Sequence, residues 1–244
     1  MFPVSNVAIR VSVDGVCTGI ETPCRAQAST RARRASCQDS RRRLESSTVV
    51  EAGPDCSITA SALVNKLLIL TPILRWDADP DGPEDMDKYA IIGASNRYPH
   101  GTAQDYIAVR KSEVELCPSH LSPAEGATLA LCGLTGWRAL VTKSGNAKPV
   151  RNILVTGIGG GAAVQVLLIG VAIGGNIYIT SGDEAKIDKA VRLGAKGGVK
   201  HKAEAGEKQF QKMLPADRPY LDAAIDGAGG DIVARESNTP FKAR

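Results

Sequence analysis

The chain has 244 residues, of which 43% are hydrophobic and 23% charged, with a formal net charge of +4. That is enough apolar material to bury a core in one large domain or two small ones. The first 45 residues hold eight Arg and four acids, which leaves 22 basic and 22 acidic groups in the other 199. The body therefore lacks the electrostatic footprint of a nucleic-acid binder.

Residues 25–43 contain seven Arg and one acid. A segment with so little apolar surface is expected to be disordered, and 1–45 is read as an Arg/Ser-rich tail. An anion- or nucleic-acid-binding arm and an organellar targeting segment are the competing readings. The start Met-Phe-Pro-Val-Ser-Asn has no basic region leading into an apolar one, which argues against a secretory signal. Cys17, Cys24, Cys37, Cys56, Cys117 and Cys132 are scattered, with no C-x-x-C pair. They resemble neither a zinc site nor a disulfide framework, so a cytoplasmic location is expected.

From Thr48 the texture changes. Val49-Val50 reads as a short strand running into a turn at Gly53-Pro54, and Leu67–Leu70 as another, ended by Pro72. Residues 77–87 form an acidic loop broken by Pro and Gly, and Gly101–Val109 looks like one more strand. Short strands between Gly/Pro turns imply a small β-rich unit. Ser122-Pro123-Ala124-Glu125 is a helix start, with Ser as N-cap, Pro at the first position and Glu at the third. Ala127–Val141 continues in helical pattern, interrupted between Gly133 and Gly136.

The second half alternates. Strand 153–156, helix 161–172, strand 176–180, helix 184–193, a short run near Val199 and a strand 221–225 follow in order, the pattern of a parallel doubly wound sheet. The apolar window from Ile153 to Ile173 is too broken by glycine for a membrane span, so no membrane association is expected. Its spacing is Gly157-x-Gly159-x-x-Ala162, between a strand and a helix. Glycines there let the backbone turn sharply and let a pyrophosphate reach N–H groups at a helix N-terminus.

After the next strand, an NAD site usually has an acid for the ribose 2′-hydroxyl. Here the strand ends at Thr180-Ser181-Gly182, and Lys186 follows one turn into the next helix. A hydroxyl and a cation suit a 2′-phosphate, so NADP is favoured over NAD. Asp183 is the counter-evidence, because it could bend back to a ribose. Other chemistries fail locally: no Tyr has Lys four residues on, and there is no G-x-S-x-G or H-E-x-x-H. His100, His120 and His201 are far apart, with no Cys at ligand spacing, so no metal is expected.

Three segments in order carry a resemblance: Pro123 through Gly133-Leu-Thr135-Gly-Trp137, Asn152 through Gly157-Ile-Gly159-Gly160-Gly161-Ala162, and Leu193-Gly194-Ala195. Together they resemble the zinc-independent medium-chain dehydrogenase/reductases, in the branch that is zinc-type alcohol-dehydrogenase-like and quinone-oxidoreductase-like. The similarity runs from about Thr48 to Val233. The resemblance implies an α/β chain: an incomplete GroES-like β-domain (46–145, with a linking helix), then a partial Rossmann domain (146–244). It departs from the family at Ala130, where Pro is usual, and at Val150, where Gly is usual.

The resemblance implies hydride transfer between NADP(H) and an activated C=C, quinone or carbonyl, on a small-molecule substrate and without zinc. It implies pyrophosphate contacts at Gly157, Gly159, Gly160, Gly161 and Ala162, and a 2′-phosphate site at Ser181 and Lys186. Thr135 is implied near the nicotinamide, and His201 stands where Tyr is common near the adenosine. No catalytic acid or base is assigned, and a homodimer is allowed. The alternative expectation is a truncated, non-catalytic paralogue that at most binds a dinucleotide.

Overall fold

The computed structural model describes residues 6–11, 46–52, 63, 65–76, 78–98, 101–102, 106–110, 113–201 and 206–229. The chain divides into two compact units, the first ending at Leu131 and the second beginning at Cys132.

The first unit carries β1 (Asn6–Val11), β2 (Ser46–Ala52), β3 (Leu67–Leu70), β4 (Ile73–Leu74), β5 (Ala90–Ile91), β6 (Tyr106–Arg110) and β7 (Val114–Leu116). Five of them form an antiparallel sheet in the order β6-β1-β2-β3-β7, and β4 and β5 form a separate pair. In β3 the burial alternates, with Leu68 and Leu70 fully buried, as a strand with one face in a core requires. Helix α1 (Pro123–Thr128) starts where its capping box predicts: Ser122 Oγ accepts from the Glu125 N–H, and Glu125 Oε2 accepts from the Ser122 N–H at 2.8 Å.

Two expectations change in this unit. Strand β1 lies within 1–45, so that segment is not wholly unstructured. In Asn-Val-Ala-Ile-Arg-Val the β-branched Val7, Ile9 and Val11 recur at the strand period, a signal outweighed by the Arg content of 25–43. The rest of 1–45 lies outside the described residues. The boundary also moves from 145/146 to 131/132, because the segment after Cys132 packs with the second unit. It comprises α2 (Leu134–Trp137), between π-helical turns at Leu129–Gly133 and Arg138–Lys143. A Cβ on Gly136 would lie 3.1 to 3.3 Å from atoms of Gln165, Val166 and Ala162, so glycine permits this close helix packing.

The second unit contains β8 (Asn152–Val155), α3 (Gly161–Ala172), β9 (Asn176–Ser181), α4 (Glu184–Arg192), β10 (Gly197–Lys200), α5 (Gly206–Met213) and β11 (Ala223–Ile225). The four strands are parallel, in the order β10-β9-β8-β11. Alternate residues face opposite sides. Ile153, Val155, Ile177 and Ile179 pack with Val166 and Leu167 of α3 and Ile187 and Ala190 of α4. Leu154 and Tyr178 pack on the other side with Val199, Phe210, Leu214 and Leu221. A sheet covered on both faces buries every position of an inner strand, so β8 carries Ile153, Leu154 and Val155, and its buried Asn152 donates its side-chain amide to Arg218 O and Tyr220 O. Helix α5 has no counterpart in the sequence reading. Its apolar signal is confined to Phe210, Met213 and Leu214 in an otherwise charged stretch, yet Phe210 is fully buried, with its ring edge-on to Tyr178 at 5.4 Å.

Candidate functional site

Strand β8 brings the chain to the C-terminal edge of the parallel sheet, where the strand order reverses between β8 and β11. Such an edge is the usual ligand position in open α/β sheets. Gly157, two residues past β8, has φ +62°, and a Cβ on it would lie 2.9 Å from the Ala228 Cβ. Both facts require glycine. The turn is pinned by Gly157 N–H donating to Thr180 Oγ1 (3.3 Å), Ile158 N–H to Thr180 O (3.0 Å), and Gly160 N–H to Gly157 O (3.0 Å).

Helix α3 then begins at Gly161. Its N-cap is Gly160, which has no side chain to satisfy the first N–H groups, so they stay open to an anion favoured by the helix dipole. A Cβ on Gly161 would meet Cys132 Sγ at 2.6 Å.

A cavity of about 340 Å³ opens beside this turn, lined by Gly157, Gly159, Ser181, Gly182, Lys186, His201 and Ala228. Five of the residues singled out by sequence thus meet in one place. The Lys186 side chain reaches back from α4 over the glycines, with Nζ 3.4 Å from where a Gly159 Cβ would be. No carboxylate pairs with Lys186 among the described residues; the neighbouring Glu184 is taken by Lys200 at 2.8 Å. Gly160, Gly161 and Ala162 sit in the turn and first helical residues rather than in the cavity wall. Thr135 is exposed on α2 and does not line this cavity.

Asp183 behaves as a cap. Its Oδ1 accepts from Ala185 N–H at 2.9 Å, while its own N–H donates to Ser181 Oγ at 3.1 Å. The carboxylate is turned to the start of its own helix and is absent from the cavity wall.

Sequence reasoning missed the support behind the cavity. Thr156, fully buried, donates its hydroxyl to Asp226 at the end of β11 and accepts from Gly227 N–H at 3.2 Å. Asp226 Oδ1 also accepts from Ala228 N–H (3.1 Å) and Gly229 N–H (3.2 Å). The Thr156 hydroxyl, helped by these two N–H groups against partial burial, holds the Asp226 carboxyl below the usual carboxylate range. Asp226-Gly227 after a strand carried the signal of an Asx-type turn. Among the described residues, no group of three or more His, Cys, Asp or Glu is placed to hold a metal ion, and no helix is long and apolar enough to cross a membrane.

No protein-family model matches the chain. It is 56% identical over 193 residues to the zinc-type alcohol dehydrogenase-like protein YogA of Leptosphaeria maculans, which covers 77% of this chain and 53% of that protein. It is 31% identical over 121 residues to the zinc-type alcohol dehydrogenase-like protein C1773.06c of Schizosaccharomyces pombe, covering 49% of this chain and 34% of that one. The chain thus spans about half or less of the length of these curated relatives. Among solved structures, it superposes on an NAD-dependent alcohol dehydrogenase with a TM-score of 0.69 at 22% identity, over 94% of this chain and 66% of the other. At that identity the likeness carries the fold: a GroES-like β-unit and a Rossmann unit, each present in part.

Proposed function

This chain belongs to the zinc-type alcohol dehydrogenase-like proteins of the medium-chain dehydrogenase/reductase family, and from that premise we propose that it serves an NADP(H)-dependent oxidoreductase acting on a small molecule. The observation that carries the choice of NADP(H) is Lys186. Its ammonium lies over the glycine turn in a cavity shared with Ser181, while Asp183, two residues after Ser181, caps its own helix. A 2′-phosphate finds a cation and a hydroxyl there, and among the described lining residues a 2′-hydroxyl finds no carboxylate.

When bound, the nicotinamide supplies the hydride, and an activated C=C, quinone or carbonyl is the acceptor class. The chain's own residues bind and orient. The N–H groups at the start of α3 take the pyrophosphate, with Gly157, Gly159, Gly160, Gly161 and Ala162 keeping Cβ bulk out of its path. Lys186 and Ser181 hold the adenosine end, and Thr135 is assigned the nicotinamide side. Catalysis on this reading is mostly positioning, with no acid or base assigned. A reducing cytoplasm is the compartment proposed, in keeping with the unoxidised thiol of Cys117.

The test is titration of the purified chain with NADPH and NADH by fluorescence at one fixed ionic strength. Wild type is expected to bind NADPH at least about tenfold more tightly than NADH, a difference of about 1.4 kcal/mol. Lys186→Glu should abolish the difference by weakening NADPH alone. Equal affinities in wild type would discard the Ser181/Lys186 reading.

A further inference from the structure

We draw no further inference here: the strongest candidate, the exposed apolar patch that Leu134 and Trp137 make on α2, carries nothing, because nothing in the structure shows what covers it.

Discussion

Thr156 and Asp226, 70 residues apart in sequence, are joined by a hydrogen bond from a fully buried hydroxyl to a carboxylate. They directly follow β8 and β11, the two strands between which the sheet order reverses. The bond ties the glycine turn to the 226–229 loop, so Gly157 and Ala228 lie against each other in the cavity wall. Removing either partner should loosen that wall. Thr156→Val and Asp226→Ala are each expected to weaken NADPH and NADH alike by about tenfold, because the loss lies in the common cradle. Binding isotherms with thermal unfolding alongside check this; unchanged affinity in a folded variant would dissociate the pair from cofactor binding.

Gly157 is the most demanding position in the turn. Alanine there combines φ +62° with a 2.9 Å approach to the Ala228 Cβ. A non-glycine residue held in the left-handed region costs of order 1–3 kcal/mol. Gly157→Ala should therefore lower stability by about that amount in urea unfolding. It should lower cofactor affinity further, and Gly145→Ala, also at positive φ but with open space around it, should affect stability alone.

Gly161 and Cys132 make a pair that can be tested by rescue. A Cβ at 161 would overlap Cys132 Sγ at 2.6 Å, whereas the Cys132 Cβ is 3.5 Å away. Overpacking of this kind costs about 1–3 kcal/mol. Gly161→Ala is expected to destabilise by that much, and Cys132→Ala in the same chain to recover most of it. A double-mutant cycle in chemical denaturation reads the coupling, which should exceed about 0.5 kcal/mol. Additive effects would mean that the thiol yields freely.

Asp222 anchors the base of the parallel sheet. Its side chain is 1% exposed and accepts from Arg151 and Arg218, each at 2.7 Å, and from the Asn152 N–H at 2.9 Å. Burial pushes the carboxyl up, but the Asn152 N–H, the Arg151 bond and the two guanidinium charges outweigh it, leaving the carboxyl below its ordinary value. A depressed carboxylate contributes stability that is fully present above its unfolded pKa, near 4, and is lost as pH falls through the lower folded value. Unfolding free energy should thus decline below about pH 4, and less steeply in Asp222→Asn. At neutral pH, Asp222→Ala is expected to cost about 3 kcal/mol, since it strands a buried N–H and two arginines.

Much of the second unit was legible because its determinants are local. A buried strand, a turn needing glycine and a helix start occupy Asn152 to Ala172 without a break, so each residue announces its neighbour's conformation. Ser181 and Lys186 were legible for the same reason, lying on the strand end and first turn that follow. Helix α5 was not, because Phe210 pays its hydrophobic debt to Tyr178 and Leu154 across the sheet rather than to anything near it in sequence. Strand β1 was obscured by the arginines that follow it, and its partners β2 and β6 are far along the chain.

The sequence by itself determined the succession of strands and helices, the glycine turn and the chemical character of the residues beside it. These follow from backbone sterics and from apolar periodicity, which act over a few residues. Only the tertiary structure decided which way Asp183 points, where Lys186 reaches and what lies behind the turn. Those outcomes depend on contacts between Thr156 and Asp226, Gly161 and Cys132, and Gly182 and His201, and such contacts exist only once the parallel strands have paired and brought their loops to one edge.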